Sequence, residues 1–189
     1  SRQTRRFLRT LLPLFEREGR TLFFRTWSVG AYPIGDLMWH RRTFRKTFEG
    51  LESPNLIISM KYGESDFFRY LPLNGHFFRS AHPKVIELQT RREYEGFGEY
   101  PSFVGREYER YLRELESAPN LVGAMIWCQT GGWGKFRRLT YVENSSPWVE
   151  LNTFVTAQLC EGKRCDEAVE LFCRRQGWDV EVSTLLEFL

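Results

Sequence analysis

The sequence has few of the residues that build metal centres, and their spacing is poor for that purpose. It holds three histidines and four cysteines in 189 residues, with no Cys-x-x-Cys pair and no Cys–His cluster. Zinc sites in proteins depend on such clusters. We therefore expect no metal ion and no other cofactor.

The chain also lacks a long apolar run and a strong charge of either sign. No hydrophobic segment reaches the roughly 20 residues of a membrane-spanning helix, so we expect no membrane partner. Lysine and arginine total 27 against 24 for aspartate and glutamate, a net charge of +3. Basic residues cluster at Arg2, Arg5, Arg6 and Arg9, and again at Arg41, Arg42, Arg45 and Lys46. Such clusters are usually solvated helix faces, and no nucleic-acid motif accompanies them, so we expect no nucleic-acid partner.

Aromatic residues, in contrast, are abundant. The chain contains six Trp, eight Tyr and sixteen Phe. Most of the Phe side chains belong in a core by their burial tendency. The remaining aromatic faces are of the kind that line a sugar-binding cleft.

Four short apolar runs are predicted to be buried strands, at residues 21–27, 55–61, 84–89 and 121–127. Parallel strands covered on both faces have this continuous apolar pattern. Helical patterns lie at residues 5–18, 35–49, 103–116, 148–161 and 166–175, the last with Asp166 as its N-cap. The segment 63–83 has no helical period, and a loop of that length is usually functional or disordered.

Strands that alternate with helices predict an α/β fold with a parallel sheet. About eight such βα units fill roughly 250 residues in a closed (β/α)8 barrel. Four units therefore indicate either a small open α/β domain or a partial TIM-type barrel. Because no linker or internal repeat divides the chain, we predict a single domain over residues 1–189.

Charged and aromatic residues lie at the ends of the predicted strands or just after them, at the edge where parallel sheets place their active sites. In strand order they are Arg25 and Trp27, Lys61 and Asp66, Glu87 and Glu93, and Trp133. A cation in an apolar strand is costly unless it is paired or faces a polar site, so Arg25 and Lys61 are predicted to bind an anionic group. Asp66 and Glu93 are the candidates for acid–base chemistry. The alternative, that these charges only pair with one another, stays open at this stage.

Several of these segments resemble glycoside hydrolase family 67, the α-glucuronidases. Residues 61–67 (KYGESDF) resemble the family stretch IKNGPxDF, and residues 86–96 (IELQTRREYEG) resemble LEFQxTQEYTG. Residues 23–30 (FFRTWSVG) are similar to the arginine-bearing strand WRxFVY, and residues 148–172 are similar to the family's closing helix and the segment after that helix. The chain departs from the family at Arg92, where the family has glutamine, and at Glu64-Ser65, which replaces a proline-containing pair.

The resemblance implies the C-terminal half of a glycosidase barrel, with inverting hydrolysis of uronic-acid-containing oligomers of plant polysaccharides such as xylan. It assigns Asp66 and Glu93 to the base side of the reaction, and Arg25 and Lys61 to the uronic-acid pocket. Glu87, Trp27 and Trp133 complete the predicted substrate-binding residues. The family's general acid lies further upstream, so we expect the isolated chain to be inactive on aldouronic acids.

Two further functions stay open at the level of sequence. The main alternative is a non-catalytic carbohydrate-binding half-barrel that lacks the general acid. A basic α/β nucleic-acid-binding domain is a weaker alternative, because net charge and motifs do not favour it. An open sheet edge would also favour a homodimer.

Overall fold

The computed structural model describes residues 2–27, 37–128 and 146–189. Its strands are β1 (Leu22–Arg25), β2 (Leu56–Lys61), β3 (Lys84–Gln89) and β4 (Leu121–Trp127). They form a four-stranded parallel sheet in the order β1-β2-β3-β4, with Arg25 opposite Ser59 and Lys61 opposite Glu87 in the register. The predicted α/β class and the parallel strands in chain order are therefore confirmed.

Helices precede, separate and follow the strands. They are α1 (Arg2–Arg17), α2 (Arg41–Phe48), α3 (His76–Arg79), α4 (Gly105–Leu115), α5 (Pro147–Cys160), α6 (Cys165–Gln176) and α7 (Val182–Phe188), with a 3-10 turn at Gly96–Gly98. The five predicted helices correspond to α1, α2, α4, α5 and α6, although α2 is shorter than predicted. None of the helices in the described residues has the length and apolar character needed to cross a membrane.

Two helical features differ from the sequence prediction. The short helix α3 lies in a segment predicted to have no helix, because the Asn74 side chain accepts a hydrogen bond from the His76 backbone N–H at 2.9 Å and starts a turn there. Asp166 is not the N-cap of α6. That position belongs to Arg164, whose backbone N–H donates to the Glu167 carboxylate at 3.1 Å.

Residue contacts divide the chain into two compact units. The first consists of Ser1–Glu87 and Ser117–Gly123, and the second of Leu88–Glu116 and Ala124–Leu189. The expectation of a single domain over residues 1–189 stays a prediction.

In the first unit, one face of β2 is apolar and fully buried. Leu56 and Ile58 are 0% exposed and Met60 is 1% exposed. Phe48 of α2 packs edge-on against Phe24 of β1, with ring centroids 5.8 Å apart. Burying a side chain of this size contributes about 1.5–3 kcal/mol, so this face holds α2 against the strands.

Helix α1 is joined to the end of α2 by one arginine. Arg5 Nη1 donates to the backbone carbonyls of Lys46, Thr47 and Glu49 at 3.2, 3.3 and 2.5 Å. The last carbonyls of a helix have no partner within the helix, and a cation there also complements the helix dipole.

In the second unit, a buried amide connects α5 to the segments around it. The Asn152 side chain donates to the carbonyls of Thr90 and Ser102 at 3.3 and 2.7 Å and accepts from the Val104 N–H at 3.0 Å. These bonds satisfy an amide that is 3% exposed. Packing between α5 and α6 includes Phe154 and Phe172, with ring centroids 5.7 Å apart.

Candidate active site

The polar face of the sheet in the first unit carries three of the seven predicted site residues, Arg25, Lys61 and Glu87. Side chains alternate between the two faces of a strand, so Ser59 and Lys61 of β2 share the face opposite Ile58 and Met60. Glu87 of β3 lies on the same face, because its carboxylate accepts a hydrogen bond from Ser59. Arg25 of β1 also lies there, because it donates to Glu87 across β2. Strands lie about 4.8 Å apart, so an Arg25–Glu87 contact crosses the whole width of β2.

The Arg25–Glu87 pair is built as a two-pronged ion pair. Arg25 Nε lies 2.9 Å from both carboxylate oxygens of Glu87, and Nη2 lies 2.7 Å from Oε2. Ser59 Oγ donates to Oε1 at 2.6 Å. The Glu87 side chain is 0% exposed, whereas the Arg25 side chain is 38% exposed. The buried Glu87 therefore orients the guanidinium from the interior of the protein, and Arg25 is the member of the pair that a ligand can reach.

A second ion pair follows the end of β2. Lys61 Nζ donates to Asp66 Oδ1, and the same oxygen accepts from the Phe67 backbone N–H at 2.9 Å. The Lys61 side chain is 3% exposed and the Asp66 side chain 22%. Burial lowers the pKa of Lys61, and the hydrogen bond and charge of Asp66 oppose that shift. The pair therefore holds a carboxylate at the surface on a buried ammonium.

Two aromatic rings enclose the Lys61 ammonium. Its Nζ lies 3.5 Å from the centroid of the Trp27 ring and 4.3 Å from that of Phe67. A cation over an aromatic face is attracted by the ring quadrupole, by about 2 kcal/mol or more when water is excluded. Trp27 itself is half-buried. The predicted substrate-binding residue Trp27 is thus in contact with the predicted cation Lys61.

The loop after β2 is ordered around Tyr62. The Tyr62 hydroxyl donates to the Phe68 carbonyl, and the Tyr62 carbonyl accepts from the Asn74 N–H at 2.7 Å. Gly63 forms an isolated antiparallel bridge with Leu73. A β-carbon on Gly63 would stand 2.7 Å from the Leu71 side chain, so the loop closes on a position that only glycine fits. This closed loop fixes the position of Asp66, which lies after the end of β2.

Glu93 lies in the second unit, in the segment after β3. Its backbone N–H donates to the Gln89 side chain at 3.1 Å, and its own side chain is half-buried. The preceding residue, Arg92, has φ 60 and forms an ion pair with Glu95. Within the described residues, no ion pair of the Glu93 carboxylate is found.

A buried tyrosine supports this segment. The Tyr108 hydroxyl donates to the Gln89 carbonyl at 2.6 Å and accepts from the Gln89 N–H at 3.1 Å and from Arg92 Nη1 at 3.4 Å. Burial raises the pKa of Tyr108 to about 12, with the Arg92 charge opposing the shift, so the hydroxyl remains a donor at neutral pH.

Five of the seven predicted site residues form two contact groups in the first unit: Arg25 with Glu87, and Lys61 with Asp66 and Trp27. Glu93 belongs to the second unit, and Trp133 lies outside the described residues. The sequence interpretation missed Ser59 and Tyr108. Ser59 could have been found, because it is a polar residue in an apolar run, two positions before Lys61 on the same strand face.

Nothing in the described ranges resembles a metal centre. Groups of three or more His, Cys, Asp or Glu side chains able to hold an ion do not occur there. Together, the two contact groups offer a partly exposed guanidinium, a partly exposed carboxylate and an indole face. Comparison of the chain with models of known protein families and with curated proteins gave no match.

Proposed function

We propose that this chain is part of an inverting glycoside hydrolase that acts on uronic-acid-containing oligomers of plant polysaccharides, in the manner of an α-glucuronidase. The proposal rests chiefly on the Lys61–Asp66 pair beside the ring of Trp27. The partly exposed guanidinium of Arg25 suits the carboxylate of an acidic sugar, the indole face of Trp27 suits its ring, and Asp66 supplies a carboxylate for proton transfer. We further propose that the parallel sheet belongs to a (β/α)8-type barrel, whose interior face would carry Arg25, Ser59 and Glu87.

In the proposed reaction, the uronic carboxylate binds the exposed edge of Arg25, which Glu87 holds in orientation. The sugar ring lies on Trp27. Asp66, with Glu93 as its partner in the base role, removes a proton from the attacking water. A general acid, standing about 6.5–9.5 Å from the base as in inverting enzymes, protonates the leaving oxygen. We do not assign that acid to a residue of this chain.

A substrate with an activated leaving group tests the base assignment, because its departure needs no acid. We expect the protein to hydrolyse an aryl α-glucuronide with a good leaving group. Asp66→Ala should lower the rate by about 10²–10⁴-fold, the usual contribution of a positioned base. Arg9→Met, on an exposed part of α1, is the control and should leave the rate unchanged.

The result also separates the two main functions. Binding of the acidic oligosaccharide with no hydrolysis of either substrate would identify a carbohydrate-binding protein instead. A rate that survives both Asp66→Ala and Glu93→Ala would contradict the base assignment.

A further inference from the structure

The first unit also contains a cavity at the amino ends of β2 and β3, made of residues that the proposed glycosidase site does not use. Its volume is about 920 Å³. Helix α2, residues 49–54, part of α3 and residues 80–83 line it. Small-molecule sites commonly measure about 300–1,000 Å³. The cavity is large enough for a ring system with a charged substituent.

The charged residues that line this cavity, which we call the arginine cavity, are four arginines and two glutamates, Glu49 and Glu52. Arg41, Arg42 and Arg45 come from α2, and Arg79 ends α3. Arg45 has a carboxylate partner, Glu49, at 3.7 Å. Within the described ranges, the other three form no ion pair.

Two of these cations are near enough to affect each other. Burial lowers the pKa of Arg79, the charge of Arg41 lowers it further, and Glu64 opposes the shift. When an anion binds between two guanidinium groups, its attraction to both offsets the repulsion between them. Their planar donor arrangement suits phosphate, which carries about −1.5 to −2 charge at neutral pH and so can satisfy more than one arginine.

The lining of the cavity also includes aromatic rings. Phe44 stacks on His76 with ring centroids 3.9 Å apart and planes 14° apart. Phe48 contacts Phe44 at 4.7 Å and His82 at 6.0 Å, and His82 Nε2 is 2.9 Å from the Leu51 carbonyl. Rings of this kind pack well against another flat ring, such as a nucleotide base.

His76 supplies a polar atom that lacks a partner. The residue is 3% exposed, lines the cavity, and its Nε2 has no hydrogen-bond partner within the described residues. Burial, followed by the charge of Arg79, lowers the pKa of His76 to about 4, and a hydrogen bond with the Met38 backbone opposes this shift. The ring is therefore neutral near pH 7 and has one N–H, which the Met38 bond uses. Nε2 is left as an acceptor for an N–H or O–H of a ligand.

We propose that the arginine cavity binds a nucleoside phosphate. Arg41, Arg42 and Arg79 bind the phosphate, the aromatic rings contact the base, and His76 Nε2 accepts a hydrogen bond from an N–H of the base. No lining residue belongs to the proposed glycosidase site, so this proposal does not depend on that function.

Calorimetric titration of the full chain with adenosine monophosphate tests the proposal, with inorganic phosphate and adenosine as the two partial ligands. We expect the nucleotide to bind at least about 10-fold more tightly than either part, because the arginines and the aromatic rings both contribute. Arg41→Met and Arg79→Met should each weaken nucleotide binding by about 10-fold, the usual effect of losing a charged hydrogen bond. Arg9→Met on α1 is the matched control and should change nothing.

The His76→Phe variant tests the contact with the nucleotide base separately from the contacts with the phosphate. The variant preserves a ring against Phe44 and removes the acceptor, so it should weaken binding of the nucleotide and leave binding of inorganic phosphate unchanged. Its thermal unfolding verifies the fold. Equal affinity for phosphate and nucleotide, or full binding by Arg41→Met and Arg79→Met, would overturn the proposal. So would affinity for single-stranded DNA that rises with length, which would instead indicate a nucleic-acid surface.

Discussion

At the carboxyl ends of β1 and β2, Arg25 and Lys61 each have a carboxylate within hydrogen-bonding distance. Arg41 and Arg79 both line the arginine cavity, the charge of Arg41 lowers the pKa of Arg79, and neither forms an ion pair within the described residues. The first group has neutralised its buried charges internally, so it can hold its shape without a ligand. The second gains most when an anion arrives from outside. The difference between the two groups is thus whether each cation has a carboxylate partner within the protein, more than how many cations are present.

Removing a cation from the paired group should have the largest effect on stability. Arg25→Met leaves the carboxylate of Glu87 buried without its guanidinium, with Glu87 0% exposed. We expect the free energy of unfolding to fall by about 3–5 kcal/mol, the usual cost of breaking a buried pair. Urea denaturation with linear extrapolation measures it.

The double variant Arg25→Met/Glu87→Met is the control for that loss. It removes both charges and should regain most of the stability, because no unpaired carboxylate remains. A single variant as stable as the wild type would show that Glu87 does not depend on Arg25, and the contrast between the two groups would fail.

The second prediction concerns pH and the neutral histidine of the cavity. The pKa of His76 is about 4 in the folded chain against 6.5 ordinarily. Between these values the unfolded chain binds more protons, so stability present above pH 6.5 is lost as pH falls. From pH 7.5 to 5 this residue should cost about 2 kcal/mol. His76→Phe should remove that part of the pH dependence, measured by urea denaturation at each pH. Parallel pH curves for the two proteins would contradict it.

The smallest effect is expected for a cation without a carboxylate partner. Arg79 is exposed, and its removal relieves repulsion from Arg41. Arg79→Met should therefore change the free energy of unfolding by less than about 0.5 kcal/mol, as for most surface substitutions. Thermal and urea unfolding of Arg79→Met and Arg25→Met, measured together, compare the same change of residue at the two sites. A loss similar to that of Arg25→Met would mean that Arg79 has a structural role instead.

The sequence predicted the strands well, and with them the residues at their ends. Buried parallel strands are continuous apolar runs, so Lys61 stands out in β2, which is buried as predicted. The prediction that β1 and β4 are buried was wrong, because their residues are intermediate or exposed. The partners of Arg25 and Lys61 could not be predicted in the same way. Arg25 pairs with Glu87 two strands away, and that contact requires the strand order and register.

The arginine cavity was missed for a related reason. The cluster from Arg41 to Lys46 has the pattern of a solvated helix face, and its sequence contains nothing that predicts Arg79 beside it. The helix that brings Arg79 and His76 there has only four residues. The turn that leads into it begins at Asn74, whose backbone N–H donates to the Tyr62 carbonyl, a tertiary contact without a local sequence pattern.

The alternation of β2 has a consequence for how the sheet is assembled. Ser59 and Lys61 lie on one face, and Ile58 and Met60 on the other. Sliding β2 by one residue against its neighbours would turn the lysine into the apolar layer and an isoleucine toward Glu87. Such a one-residue slip would thus place an ammonium in the apolar layer and leave the buried Glu87 carboxylate without its bond to Ser59. The polar side chains around Ser59 and Lys61 therefore favour the native register of β2, because their hydrogen bonds across the sheet form in that register.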